Sequence, residues 1–391
     1  MHNKIINALA LTGIFALVGC SDNSSDPTDL LGNLDNPEIS SNSEGEEIPP
    51  AGEPDITSSE TSTLPGESSP SEENTQPDGF SSAAGETTEP DNTTSSDSGS
   101  QQTTSSESAQ EQTYAFGWAK GNDPVPTKGC GKDLQLPKSG DFQFSWNFKG
   151  KNESRKIYID IPDNYDKNKP YRLVFGMQCM NGSGSNVAKN EKYYGLMPLD
   201  NGKTTIFVAP DGQCFSNNCP PWGETDYTMF DELLAKLQNE LCIDSSRVFS
   251  TGFSYGSMFT NGLSRNHQHV LRGVAVYETA DINIWLPEVE NKPIAWMGVH
   301  GMNDGLCKPE MGKSARNTAL KNASAEGKDA TLEQPEESYS SQHKCYDYKD
   351  VDERFPVRWC TDDAGHIWDH KDPGQWNSWV PAATWDFITQ F

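Results

Sequence analysis

Short apolar runs recur along the chain after residue 150, and most of them are too short to be helices. Residues 155–161 alternate between polar and apolar side chains with a period of two, which predicts a strand with one exposed face. The other runs are continuously apolar, which is typical of strands buried on both faces of a mostly parallel sheet. These runs are 173–175, 205–208, 247–249, 274–276 and 294–297.

One segment between these runs has helical periodicity. In residues 227–241 the apolar side chains recur at helical spacing and fall on one face, which predicts an amphipathic helix. They are Met229, Phe230, Leu233, Leu234, Leu237 and Leu241. Strand, helix and strand in succession predict the α/β class: a doubly wound, mostly parallel central sheet with helices on both faces.

The first twenty residues have the pattern of an export signal. Lys4 supplies positive charge, and residues 8–18 form an apolar run that is too short to span a membrane as a stable helix. The run ends in Gly19 and Cys20 and resembles a bacterial lipobox, in which the cysteine is lipidated. We therefore expect residues 1–20 to be a lipoprotein signal and Cys20 to anchor an exported protein, in the outer membrane or at the surface of a Gram-negative bacterium.

Charge is distributed unevenly along the chain. Residues 21–112 contain 21 of the 57 acidic residues and none of the 30 Lys and Arg, set among Ser, Thr, Pro and Gly. Such a segment cannot bury enough apolar surface to offset chain entropy, so we expect a disordered acidic linker. Residues 113–391 are expected to form one domain. This domain is only mildly acidic and lacks the basic footprint that a nucleic-acid partner requires.

Eight cysteines remain once Cys20 is set aside. An even number in an exported protein predicts disulfides, up to four of them, although the sequence does not reveal the pairing. Cys214 and Cys219 enclose a tight loop and could form a local bridge. A metal site at this pair would lack a second pair of ligands, so we predict no metal.

The pentapeptide Gly-Phe-Ser-Tyr-Gly at 252–256 follows the apolar run 247–249 and precedes a helical segment from Ser257. A G-x-S-x-G sequence between a strand and a helix is typical of a nucleophile elbow, in which the serine lies on a strained turn. Glycines flank the serine because a side chain there would crowd the turn. The pattern predicts Ser254 as the nucleophile and the backbone N–H of Tyr255 as an oxyanion donor.

A serine hydroxyl needs a base, and the base needs a carboxylate that orients it. In this arrangement the chain order is serine, acid, histidine. His366 lies in a Gly-containing loop after the run 357–360 and is the predicted base, with His370 as its nearest competitor. Asp304 is the predicted acid, because it follows a buried strand at whose carboxyl end catalytic groups gather. His300, at the end of that strand, has the alternative role of a buried histidine bonded to the backbone.

The loop after the run 173–175 is expected to supply the second oxyanion donor. A main-chain N–H near Cys179 or Met180 is the best candidate. Gln178 in the same loop and Trp222 are the predicted substrate contacts. An exposed indole would stack on an aromatic acyl group or a sugar, whereas a place in the core is the equally weighted alternative for Trp222.

Residues from Gly129 to Phe391 resemble the feruloyl esterase group of carbohydrate esterases, whose members are often labelled polyhydroxybutyrate depolymerase-like. The resemblance rests on the elbow, His-Gly-x-x-Asp at 300–304, Gly-His at 365–366, and matching segments such as Ala-Pro-Asp-Gly at 209–212. It implies an α/β-hydrolase fold and hydrolysis of esters on plant cell-wall polysaccharides. The chain departs from the family pattern in the oxyanion loop, after the elbow and before the histidine. These departures are Gln178-Cys179, Ser257 and Ala364.

The predicted function is therefore serine-dependent ester hydrolysis, with feruloyl esterase favoured, and it requires no metal or organic cofactor. The expected partner is a polysaccharide or a small ester, the membrane is contacted only through the lipid anchor, and we expect a monomer. Acetylxylan esterase and polyester depolymerase would use the same triad and stay open. A carbohydrate-binding surface lipoprotein without catalysis is the alternative from a different class.

Overall fold

The computed structural model describes residues 117–391, apart from 215–218, 282–283 and 331–334. The predicted lipoprotein signal, Cys20 and the linker 21–112 lie outside the described residues. The strands in the described part are β1 (Ser139–Phe148), β2 (Lys151–Asp160), β3 (Tyr171–Met177), β4 (Thr205–Pro210), β5 (Ile243–Phe253), β6 (Gly273–Tyr277), β7 (Ala295–Gly301), β8 (Lys344–Asp347) and β9 (Val357–Asp362).

These strands form one sheet in the order β1-β2-β4-β3-β5-β6-β7-β9-β8. The six strands from β4 to β9 in this order run parallel to one another. Antiparallel pairs occur only towards the edges of the described sheet, where β2 joins β1 and β4 and where β8 joins β9. The predicted mostly parallel sheet is confirmed, and each of the predicted apolar runs lies in a strand to within one residue.

Helices cover both faces of the sheet, as the sequence predicts. They are α1 (Gly184–Lys189), α2 (Glu224–Glu240), α3 (Tyr255–Asn266), α4 (Pro309–Ala323) and α5 (Val380–Thr389). The apolar sides of α2, α3 and α4 belong to one core, and those of α1 and α5 belong to another. Among the described residues, no helix combines the length and the apolar character needed to cross a membrane.

The two cores arise from the period of two along buried strands. In β3, Leu173 and Phe175 belong to the core under α2, whereas Val174 belongs to the core under α5, and all three are fully buried. Both faces must be apolar because helices exclude water from each side. This burial fixes the strand ends, so that the loops at the carboxyl edge of the sheet are held in place.

The disulfides of the described residues include one that joins distant segments and two that join nearby ones. Cys130 pairs with Cys242, Cys345 with Cys360, and Cys214 with Cys219, the last as the local bridge that the sequence suggests. Cys179 is disulfide-bonded as well, and Cys307 is a buried free thiol.

Candidate active site

Ser254 lies on the strained turn that connects β5 to α3. Its φ of +54° and ψ of −121° are unusual for a residue with a side chain, and its N–H is held by the carbonyl oxygen of Tyr277 at 3.0 Å. A Cβ atom at Gly252 would overlap the backbone of Gly256, and a Cβ atom at Gly256 would overlap the carbonyl of Met177. The two glycines are therefore required for the elbow to close.

His366 joins the serine to the acid. Its Nε2 atom lies 2.8 Å from Oγ of Ser254, and its Nδ1 atom lies 2.8 Å from Oδ2 of Asp304. The acceptor at Nδ1 places the ring proton there, so Nε2 is free to take the proton of the serine hydroxyl. Ser254 and His366 are partly exposed and Asp304 is buried, so a substrate can approach the nucleophile while the acid stays dry.

Two loops at the carboxyl edge of the sheet bring the acid and the base together. Asp304 follows β7 and His366 follows β9, and the N–H of Asn303 donates to the carbonyl oxygen of Ala364 at 3.0 Å. The N–H groups of Leu306 and Cys307 donate to Oδ1 of Asp304 at 2.7 and 3.0 Å, respectively. Both oxygens of Asp304 therefore accept hydrogen bonds in the absence of substrate.

The pKa of Asp304 is lowered although the carboxyl group is buried. Burial alone would raise this pKa, but the hydrogen bonds from His366 and from the backbone N–H of Leu306 outweigh it. Asp304 therefore stays ionised at neutral pH, which is the state that can hold the imidazole proton on Nδ1.

The loop after β3 packs against the first turn of α3, where an oxyanion site is expected. The phenol of Tyr194 donates to the carbonyl oxygen of Met177 at 2.6 Å, and the indole of Trp222 donates to that of Gln178 at 2.8 Å. Because a trans peptide is planar, the N–H of Cys179 points away from the carbonyl that Trp222 holds. The roles of the Cys179 and Tyr255 N–H groups as oxyanion donors stay a prediction.

Trp222 and Gln178 do not lie where a substrate could touch them, so their predicted roles as substrate contacts are wrong. Trp222 is 1% exposed, and its ring stacks on Phe259 at 4.8 Å between centroids. Gln178 is 0% exposed, donates to the carbonyl of Gly182 at 2.9 Å and accepts the N–H of Gly212 at 3.0 Å. Both side chains stabilise the loop after β3 from the protein interior, because their polar groups form hydrogen bonds with the backbone.

The site can be compared with known proteins. No protein-family model matches the chain. The solved ferulic acid esterase from Anaeromyces mucronatus aligns with 68% of this chain and 96% of its own, at 16% identity and a TM-score of 0.43. Among curated proteins, feruloyl esterase D of Neurospora crassa is 31% identical over 275 residues, which are 68% of this chain and 91% of that protein. The chain belongs to the feruloyl esterase family. Probable feruloyl esterase C of Aspergillus niger is likewise 31% identical, over 66% of this chain and 90% of its own.

His370, the competing candidate for the base, lies behind the triad of this feruloyl esterase family member. It is fully buried, its Nδ1 atom lies 2.7 Å from Oδ1 of Asp362, and its Nε2 atom lies 2.8 Å from Oε1 of Glu278. Burial alone would lower the pKa of His370, but the bonds to Asp362 and Glu278 raise it instead. His370 is thus a buried cation between two carboxyl groups and not a base for Ser254.

His300 has the backbone-bonded role that the sequence suggests. Its Nε2 atom lies 2.7 Å from the carbonyl oxygen of Cys307, and its side chain is fully buried. Burial lowers the pKa of His300 to about 4, so the ring is neutral at neutral pH. The ring then carries its proton on Nε2.

The sequence reasoning missed Glu278, which is fully buried directly after β6. An acidic residue at the carboxyl end of a continuously apolar run is a signal that could have identified Glu278. Functional groups gather at the carboxyl ends of parallel strands, and a carboxyl group buried there is a candidate for a functional role. The ligand atoms of Glu278, His300 and Asp304 lie within 4.8 Å of one another, as do those of Asp304, Cys307 and His366. Since Asp304 and both histidines already have hydrogen-bond partners, we assign none of these side chains as a metal ligand.

Proposed function

We propose that this chain is a feruloyl esterase that cleaves the ester between ferulate and the sugars of plant cell-wall polysaccharide. The observation that carries the proposal is the line from Ser254 through His366 to Asp304, with both hydrogen bonds at 2.8 Å. The arrangement is that of a serine hydrolase, and the curated relatives over the same domain are named feruloyl esterases.

The reaction proceeds in two acyl-transfer steps. Oγ of Ser254 attacks the ester carbonyl while Nε2 of His366 accepts its proton, and Asp304 stabilises the resulting imidazolium. The tetrahedral intermediate collapses, the sugar hydroxyl leaves with the proton of His366, and the feruloyl group remains on Ser254. Water then attacks this ester by the same route and releases ferulate. Each backbone N–H that stabilises the oxyanion contributes about 3 kcal/mol.

An apolar cluster beside the elbow supports an aromatic acyl group. Met258, Ala280 and Cys307 are buried, and three partly buried apolar side chains pack against them. These are Tyr255, Ile284 and Met311. Tyr255 directly follows the nucleophile, so we expect the feruloyl ring to rest on this cluster, where aromatic and thioether groups offer favourable contacts.

A substrate panel with the purified chain tests the proposal. The esters are methyl ferulate, acetylated xylan, p-nitrophenyl acetate and a short-chain polyhydroxyalkanoate. We expect the highest kcat/KM on methyl ferulate. A preference for acetylated xylan or for the polyester would instead support one of the two alternatives with the same triad. Xylan binding without hydrolysis of any ester would support the non-catalytic lipoprotein and contradict the proposal.

We propose further that Cys20 carries a lipid that anchors an exported enzyme, and that the enzyme is monomeric. The lipobox-like sequence supports the anchor, and the disulfides of the domain support export, because they persist in oxidising compartments. The test is fractionation of cells that express the full chain. Cys20→Ala should move the esterase from the membrane to the soluble fraction, whereas Ser24→Ala should not. Membrane association of Cys20→Ala that equals the wild type would contradict the anchor.

A further inference from the structure

Glu278 is held between two loops that carry the triad. It follows β6 with a φ of +52°, a conformation that a residue with a side chain rarely adopts. Its Oε1 atom accepts the N–H of Gly301 at 2.7 Å and lies 2.8 Å from Nε2 of His370. One oxygen of the carboxyl group is thereby fixed, and with it the direction of the other.

The second oxygen of Glu278 faces the acid of the triad. Among the described residues, no N–H or O–H donor forms a hydrogen bond with Oε2, which is completely buried. Nε2 of His300 lies 3.4 Å away, but its proton is used by the carbonyl of Cys307 at 2.7 Å. An oxygen of Asp304 lies within 4.8 Å of an oxygen of Glu278, so two buried carboxyl groups are close to each other. In the described part of the chain, the side chain near both of them is His300, whose ring is neutral.

One of the two carboxyl groups must carry a proton, because two adjacent buried carboxylates cannot both ionise without a large cost. Asp304 already accepts three N–H groups, from Leu306, Cys307 and His366, which stabilise its anion. On Glu278, Oε1 accepts the N–H of Gly301 and lies 2.8 Å from Nε2 of His370, which also lies 2.8 Å from the carbonyl oxygen of Ile367. Burial raises the pKa of Glu278 well above its ordinary value, and Asp304 raises it further, whereas His370 opposes the shift.

We propose that Glu278 is a protonated positioning residue whose carboxyl O–H donates a hydrogen bond to Asp304. This inference rests on the proposed function, because it concerns how the triad is held. Gly301 and His370 orient the carboxyl group, and its proton gives Asp304 a further hydrogen-bond donor. Asp304 then stays ionised and keeps the imidazole in the tautomer that serves Ser254.

Several titratable groups face Glu278 from the surrounding elements. His300 comes from the end of β7, Asp304 and Cys307 come from the loop after it, and His370 comes from the loop after β9. Of these, Asp304 and His370 are charged at neutral pH and His300 is neutral. Burial raises the pKa of the Cys307 thiol, so this group is neutral as well. The charge of Glu278 is therefore the quantity that an experiment must determine.

Two substitutions of similar size separate a proton donor from an ionised carboxylate. Glu278→Gln keeps an oxygen for Gly301 and His370 and offers an amide N–H to Asp304, so kcat and KM should stay within about threefold of the wild type. Glu278→Met removes the donor to a charged acceptor, and kcat on methyl ferulate should fall by about 10- to 100-fold with little change in KM. Without its donor, Asp304 attracts the imidazole proton more strongly, so the acid limb of kcat/KM should move to higher pH.

If Glu278 is ionised, the acid limb of kcat/KM should shift in the opposite direction. Removing a negative charge near the imidazolium would move the acid limb to lower pH in both variants, and Glu278→Gln would be as damaging as Glu278→Met. Either result would overturn the proposal.

Infrared spectroscopy supplies a readout that does not depend on turnover or on the folding of Glu278→Met. At neutral pH the wild-type spectrum should contain the carbonyl band of a protonated carboxyl group that Glu278→Gln lacks. Its absence from the wild type would refute the proposal. If the wild type hydrolyses no ester but shows the band, the proposed function fails and the protonation of Glu278 stands.

Discussion

Nε2 of His366 lies 2.8 Å from Oγ of Ser254, although 112 residues separate them in the chain. The topology explains the encounter. Ser254 follows β5 and His366 follows β9, and both strands run in the same direction within the parallel part of the sheet. Their carboxyl ends therefore open at one edge, where the loops can meet.

Asp304→Asn should leave the fold intact and greatly reduce turnover. The amide would donate to Nδ1 of His366 and place the ring proton on Nε2, where it blocks acceptance of the serine proton. By analogy with other triads we expect kcat on methyl ferulate to fall by about 10³- to 10⁴-fold. Asp163→Asn changes an exposed aspartate in the same way and should retain wild-type kcat. A kcat for Asp304→Asn within tenfold of the wild type would exclude Asp304 as the orienting acid.

Periodicity could predict the strands buried on both faces of the sheet and the alternating strand β2. Continuous apolar runs such as 274–276 mark strands because helices cover them on each side. β1 also carries a signal, since Phe142, Phe144, Trp146 and Phe148 recur at every second position. β8 carries none, because it is a short edge strand whose residues are mostly exposed.

The triad residues could be predicted, because a motif and the order of residues along the chain identify them. The residues whose role depends on tertiary packing could not. The elbow motif and the order of acid and base point to Ser254, Asp304 and His366 without a structure. Trp222 could not be assigned, because an indole beside Pro and Gly suits a rim or a core equally, and its stacking on Phe259 makes it a core residue. The role of the buried carboxyl group of Glu278 could not be predicted either, because its partners are distant in the sequence.

Gly256→Ala should destabilise the protein and impair catalysis together. The new methyl group would overlap the carbonyl groups of Met177 and Gln178, so the oxyanion loop must move. We expect a loss of about 1–3 kcal/mol in the free energy of unfolding, measured by denaturant titration, and a lower kcat. Gly202→Ala, whose methyl group would meet only a side-chain methyl at 3.3 Å, is the control. Equal stability of the two variants would contradict the packing of the elbow.

His300 should make the protein less stable in acid. Its pKa is lowered from 6.5 to about 4 in the folded state, so between these values the unfolded chain binds more protons. The free energy of unfolding should thus fall as the pH drops from 7 to 4, and His300 should account for about 3 kcal/mol of the fall. His300→Gln keeps a donor for Cys307 and should flatten the dependence by that amount.

Denaturant titrations at pH 7 and pH 4 measure this difference. His269→Gln, at an exposed position, should keep the wild-type dependence. If His300→Gln loses as much stability between the two pH values as the wild type does, the ring is not held neutral by burial.

The disulfides should contribute unequally to stability. Cys130 and Cys242 are separated by 112 residues, whereas Cys214 and Cys219 are separated by 5. In the chain-entropy model the longer loop stabilises the folded state by about 3 kcal/mol more than the shorter one. Replacing each pair by alanine and measuring denaturant unfolding tests this order. A larger loss for the Cys214–Cys219 pair would contradict it.

The most direct test of the account is ferulate release from methyl ferulate by the wild type and by Ser254→Ala. Chromatography of the product over time measures the rate for each. We predict turnover by the wild type and a loss of about 10⁵-fold or more in kcat for Ser254→Ala, with wild-type rates for Ser314→Ala on the exposed side of α4. Wild-type turnover that survives in Ser254→Ala would show that the reaction does not pass through this serine.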